Sequence, residues 1–225
     1  MNILKKFYQN TRRPEGIGGR VMLSMMNAGH NANAIWGLSQ IEIAPEDEIL
    51  DIGCGGGRNI AHLLRRAPAG RVYGVDYSPE SVEKSKRVNK AEIIRGRADV
   101  KQASVSSLPF EDGKFDIATA FETIYFWPDL LHDFMEVRRV IKEGGIFFIC
   151  NEASRPEGNE KWTKMIDLSI YTKEDLSRIL LKAGFRSISC HEHPNGKWLC
   201  VAARKPNAAE GNCRPCSKKH IHRIE

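Results

Sequence analysis

The sequence predicts an α/β fold, a mostly parallel sheet with helices on both faces and an antiparallel last strand. Three observations carry this reading. Strand-like apolar runs alternate with helical stretches through the middle of the chain. Ile49-Leu50-Asp51-Ile52 runs straight into Gly53-Cys54-Gly55-Gly56-Gly57, as a buried parallel strand does when it opens through a tight turn into a helix. Near the end, His193-Pro194-Asn195-Gly196 separates two further β-type runs, and Asn-Gly is a strong hairpin signal.

Taken in order, residues 1–44 read as an N-terminal helical lid segment and residues 45–204 as the core. Residues 205–225 read as a basic, disordered tail. Strands are expected near 47–52, 71–76, 100–105, 115–121 and 145–152, and helices near 58–66, 79–90 and 129–142. Ser78-Pro79-Glu80 starts a helix: serine suits the N-cap, proline the first helical position, and an acid the positive end of the dipole. Thr172-Lys173-Glu174-Asp175 starts another, with Leu176, Ile179, Leu180 and Ala183 on one face and Gly184 as its stop. Phe185–Cys190 and Lys197–Ala203 then form the hairpin.

Composition narrows the class. A chain of 225 residues is large enough for one such domain without disulfide or metal staples. There is no apolar run of membrane-spanning length, and Met1-Asn2-Ile3-Leu4-Lys5-Lys6 lacks the apolar core of a secretory signal, so a cytoplasmic protein with reduced thiols is expected. Cys54, Cys150, Cys190 and Cys200 fall in or beside strand-like runs and read as small core residues. Cys213, Cys216, His220 and His222 have the ligand types of a zinc site, but their spacing is more compressed than the common patterns, and no metal is expected. The segment from Arg204 to Glu225 holds six cations and two acids, hence +4 of the net +6. It reads as a solvated end rather than a nucleic-acid contact.

The glycine turn decides the function. A dinucleotide site wants G-x-G-x-x-G, and here the third glycine position is Arg58. The pattern present is D-x-G-x-G-x-G, Asp51 to Gly57. A second run, Arg71–Val75, ends in Asp76, and Ser107-Leu108-Pro109-Phe110 with Phe115-Asp116 precedes a fourth. Together with Gly144-Gly145-Ile146, these motifs resemble class I S-adenosylmethionine (SAM) dependent methyltransferases of the type 11 group, the relatives of ubiquinone and menaquinone methyltransferases. The resemblance covers most of residues 45–150. It implies a Rossmann-like class I methyltransferase fold with a seven-stranded sheet, and SAM as cofactor.

The resemblance also implies roles. Asp51 and the backbone of Gly53, Cys54, Gly55 and Gly57 would hold the methionine end, and Asn59 is a further cofactor-binding candidate. Asp76 would take the ribose hydroxyls, with Tyr77 beside the adenine. Ser104 and Val105 would border the adenine, Ser104 standing where the family usually has an acid. Phe121 and Glu122 would lie beneath the sulfonium and methionine portion.

Acceptor-site candidates are His30, whose imidazole titrates near neutral pH, and Tyr125 and Trp127 after the fourth strand. Trp162 and Tyr171 are possible lid aromatics. Trp127 and the Met25–Leu38 segment fit ordinary packing equally well. Phe121-Glu122-Thr123-Ile124 is unlike the Asn/Asp-Pro-Pro-Tyr segment of many base-modifying enzymes, which argues against a nucleic-acid substrate. The expectation is methyl transfer to a small organic acceptor at O, N, C or S, yielding S-adenosylhomocysteine. The alternatives are a SAM-binding sensor or partner-binding protein without catalysis and, behind it, an NAD-dependent oxidoreductase.

Overall fold

The structure is a computed structural model that describes residues 31–157, 160, 163 and 168–207. Its elements are α1 (Asn31–Leu38), β1 (Glu48–Ile52), α2 (Arg58–Arg66), β2 (Arg71–Asp76), α3 (Pro79–Val88), α4 (Lys90–Ile94), β3 (Ala98–Gln102) and β4 (Phe115–Phe121). A 3-10 turn (Ile124–Phe126) follows, then α5 (Leu130–Val140), β5 (Ile141–Asn151), α6 (Lys173–Lys182), β6 (Arg186–Glu192) and β7 (Leu199–Arg204).

The seven strands form one sheet in the order β3-β2-β1-β4-β5-β7-β6. Pairings from β3 through β5 are parallel, and β7 lies antiparallel between β5 and β6. The chain order reverses beside β1, so β1, β2 and β4 send their carboxyl ends to a common edge, where open α/β sheets bind ligands.

Alternate strand residues feed two cores. Leu50, Ala118, Phe147, Ile149 and Val201 pack with Phe134 and Val137 of α5 and Leu176 and Leu180 of α6. Ile49, Ile117, Phe148, Cys150 and Cys200 pack with Leu38 of α1, Ile60 and Leu63 of α2, and Val82 of α3. Burial on both faces is why these strands read as continuous apolar runs.

The expected helix starts are present. Ser78 Oγ accepts the Ser81 N–H, Pro79 is the first residue of α3, and Thr172 with Asp175 forms a reciprocal capping box on α6. The Asn195-Gly196 turn joins β6 to β7, with Asn195 Oδ1 accepting the N–H groups of Lys197 and Trp198.

Several expectations are corrected. The third strand spans Ala98–Gln102, not 100–105, because Ala103 N–H makes the last ladder bond to Asp76 O, where β2 ends, and Ser104 then bridges to Ser107. The helix expected over 79–90 breaks at Asn89, whose buried amide donates to Gly57 O and Ser85 O. Strand β5 begins at Ile141, paired with Phe115, so the preceding helix ends at Val140. Cys190 is exposed rather than in the core, because β6 is an edge strand with little covering it. Cys54, Cys150 and Cys200 are buried free thiols. The positions of His30, Trp162, Cys213, Cys216, His220 and His222 lie outside the described residues. No described helix is long and apolar enough to cross a membrane.

Candidate functional site

The glycine turn takes its shape from backbone bonds to the neighbouring strand. Gly53 N–H and Cys54 N–H both donate to Val75 O, at 2.8 and 3.0 Å, and Gly57 N–H donates to Cys54 O at 2.9 Å. Gly53, Gly55 and Gly57 all have positive φ, between 50° and 79°. A Cβ on Gly53 would stand 2.8 Å from Thr123 Cβ, whereas at Gly55 it would meet nothing within 4 Å. The turn is therefore packed on one side and open at Gly55.

Asp76 closes the turn from the end of β2. Its Oδ2 accepts Gly55 N–H and its Oδ1 accepts Ser78 N–H, each at 2.9 Å. Burial raises its carboxyl above the ordinary range, and those two bonds and a third from the Ser81 side chain work against the rise. With the Ser81 side chain also bonded to it, the carboxylate keeps one further lone-pair site for a ligand hydroxyl.

A cavity of about 370 Å³ opens at this edge. Its walls come from the turn (Gly53, Cys54, Gly55, Arg58, Asn59), from the ends of β2 (Asp76, Tyr77) and β4 (Phe121, Glu122), and from the Ala103–Val105 loop. Thr123, Phe126, Trp127 and Pro128 form one side, and Asn31, Asn33 and Ala34 of α1 another. Of the expected cofactor residues, Gly53, Cys54, Gly55, Asn59, Asp76, Tyr77, Ser104, Val105, Phe121 and Glu122 line it, and Asp51 and Gly57 do not.

Asp51 is 1% exposed. Its Oδ1 accepts from Thr119 Oγ1 at 2.9 Å, and its Oδ2 has no hydrogen-bond partner among the described residues. Burial pushes its carboxyl up to about 7, and the Asp76 charge adds to the rise. Gly57 instead caps α2 and packs on α3 through Ser85 and Asn89.

The acceptor-side candidates separate. Trp127 lines the cavity and donates from Nε1 to Thr123 Oγ1 at 3.3 Å. Tyr125 is buried behind it, its hydroxyl 3.2 Å from Glu122 Oε2 and accepting Ala153 N–H at 2.9 Å. Burial and the adjacent Glu122 push the Tyr125 hydroxyl far up, so it remains a donor at neutral pH. Tyr171 packs against the core.

Asn31 and Asn33 were not anticipated. Asn33 Nδ2 donates to Glu122 Oε1, and Asn31 Oδ1 bonds His62 Nε2 of α2 at 2.9 Å. Two asparagines inside a short apolar helix are poor helix formers, and that was the available signal.

A ligand with ribose hydroxyls and a cationic amino-acid end fits these walls. The carboxylates lining the cavity belong to Asp76 and Glu122, and the backbone at Gly55 leaves room for close approach. The fold and this edge agree with the class I SAM-dependent methyltransferase fold that the sequence motifs imply.

The family model described as "Methyltransferase domain" matches residues 50–149. A demethylmenaquinone methyltransferase of Lactococcus lactis is 36% identical over 194 residues, 74% of this chain and 76% of its own length. An uncharacterized methyltransferase of Synechocystis is 28% identical over 179 residues, covering 74% of this chain and 80% of the relative. The chain spans only 43% of a 2-phytyl-1,4-naphtoquinone methyltransferase of Trichormus variabilis, to which it is 37% identical over 44% of its own length. Among solved structures, the complex between the Haloferax volcanii Trm112 methyltransferase activator and a methyltransferase superposes with a TM-score of 0.77 at 18% identity, over 87% of this chain and 98% of that one. The chain belongs to the SAM-dependent methyltransferase family and is an enzyme of that class.

Proposed function

We propose that the protein transfers the methyl group of SAM to a small organic acceptor. The observation that carries the reading is the cavity at the carboxyl edge, where an open glycine turn and the Asp76 carboxylate face an aromatic wall of Phe126 and Trp127. Ribose hydroxyls bond to Asp76, the adenine lies by Tyr77, Ser104 and Val105, and the methionine end runs over Gly53–Gly55 toward Phe121 and Glu122. Relatives named for demethylmenaquinone and 2-phytyl-1,4-naphtoquinone support an apolar acceptor body.

Bound SAM supplies a methyl carbon already activated by a sulfonium. The residues have only to align the acceptor in line with that carbon and keep water away. Trp127, Phe126 and Pro128 provide an apolar wall for the acceptor, and α1 covers the cavity through Asn31, Asn33 and Ala34.

The decisive assay incubates the purified protein with methyl-labelled SAM and an extract divided into small-molecule, nucleic-acid and protein fractions. Label is expected in the small-molecule fraction. Label in the nucleic-acid or protein fraction would overturn the acceptor class, and none in any fraction, with SAM bound, would favour the non-catalytic reading.

The ribose assignment is tested separately. Asp76→Ala is expected to weaken SAM binding by about 1.5–3 kcal/mol, the loss typical of hydrogen bonds to a charged group. Titration calorimetry that finds equal affinity in the two proteins would remove Asp76 from the ribose.

A further inference from the structure

We infer that Glu122, rather than the buried Asp51, supplies the carboxylate that holds the ammonium of the cofactor's methionine end, with Asn33 and Tyr125 as its positioning residues. The inference rests on the cofactor orientation proposed above.

Two acids stand near the methionine end, at adjacent strands. Asp51 lies one residue inside the end of β1, level with Thr119 of β4, with Oδ1 bonded to the Thr119 hydroxyl and Oδ2 buried without a hydrogen-bond partner among the described residues. Ile52 and Gly53, not Asp51, face the cavity at this point. A carboxyl with almost no exposed surface, divided between its neutral and charged forms near pH 7, is a poor counter-ion for a ligand it does not reach.

Glu122 is the first residue after β4, and it adopts φ 57°. That conformation is unfavourable for a residue with a Cβ, and it persists only where the surroundings enforce it. Here the Glu122 N–H stays bonded to Cys150 O at 3.0 Å, and the turned side chain lines the cavity. Its carboxylate accepts from Asn33 Nδ2 and from the Tyr125 hydroxyl. Both donors are themselves fixed: Asn33 is 2% exposed with Oδ1 3.1 Å from the Cys150 thiol, and Tyr125 takes Ala153 N–H. Donors of this kind fix the direction in which the carboxylate points.

Position points the same way. The next residue, Thr123, packs against Gly53, so Glu122 borders the part of the turn assigned to the methionine end. The other acid lining the cavity, Asp76, is engaged at the ribose end by Gly55 and Ser78. One carboxylate thereby joins α1, the end of β4, the end of β5 and the cofactor.

The test compares two ligands that differ only in the ammonium, S-adenosylhomocysteine and its desamino analogue S-adenosyl-4-thiobutyrate, by titration calorimetry. The wild-type protein should prefer the ammonium-bearing ligand by about tenfold or more, the equivalent of one charge-assisted hydrogen bond. In Glu122→Gln this preference should shrink to within about threefold, with the desamino ligand bound at least as well as before. Glu122→Gly, which relieves the positive φ, should behave alike and guards against misfolding of the first variant. Asp51→Asn should keep the preference. A preference that survives in both Glu122 variants, or one that disappears in Asp51→Asn instead, would overturn the assignment. Wild-type protein that binds neither ligand would instead overturn the cofactor orientation on which it rests.

Discussion

Gly57→Ala is expected to destabilise the protein by about 3 kcal/mol, combining the left-handed backbone penalty with overpacking. Gly57 has φ 79°, and a Cβ there would press on Ser85 Oγ and stand 2.6 Å from Asn89 Nδ2 and 2.8 Å from Ser85 Cα. A side-chain oxygen can rotate away, but the Ser85 backbone moves only if α3 moves. The substitution also disturbs Asn89, which holds Gly57 O and Ser85 O together. The neighbouring Gly55→Ala is the control, because its Cβ meets nothing within 4 Å. It should cost only the backbone penalty, about 1 kcal/mol, and should instead weaken S-adenosylhomocysteine binding at the open face of the turn. Urea unfolding and calorimetry on both variants check this. Equal destabilisation by the two alanines would show that packing on α3 is not what holds Gly57.

The stability of the protein should fall with rising pH through Asp51, and Asp51→Asn should abolish that contribution. The carboxyl titrates at about 7 in the folded chain against an ordinary value of 3.8. A raised acid pKa means that the folded state keeps a proton the unfolded state has lost. Below 3.8 both states are protonated and the group contributes no pH dependence. Between 3.8 and about 7 stability drops as pH rises, and above that window the loss is complete. At 1.36 kcal/mol per pKa unit the loss amounts to about 4 kcal/mol. The stability difference, wild type minus Asp51→Asn, should therefore decline by about 4 kcal/mol between pH 4 and pH 8. Asp76 is also raised and pulls in the same direction, but it is present in both proteins. Parallel pH profiles for the two proteins would mean that Asp51 is not held in a dry site.

How much of the site was legible followed from how local its causes are. The turn, the Asp76 position and the Ser78 cap rest on residues within a few positions of one another. Asn89 shows the opposite case: nothing near it in sequence reveals that its amide reaches back to Gly57 across 32 positions to end α3 early. Ser104 was expected at a strand end, but a bridge to Ser107, with Ser106 Oγ donating to the buried Asp133 of α5, makes it part of a loop instead. Tyr125 and Trp127, two residues apart, were both candidates for the acceptor wall. The 3-10 turn separates them, one into the cavity wall and one behind it.

The sequence by itself determined the α/β class, the glycine turn, the carboxylates at the strand ends and the hairpin that closes the sheet. Each is written in short-range patterns: apolar period, positive-φ glycine, helix cap and Asn-Gly turn. The tertiary structure alone decided which carboxylate reaches the cavity. Asp51 and Glu122 both end apolar runs, yet register beside Thr119 buries the first, and a positive φ with Asn33, 89 positions away, holds the second in the cavity wall. Burial and charge environment are set by partners distant in sequence, so the two acids diverge only once the sheet and α1 are assembled.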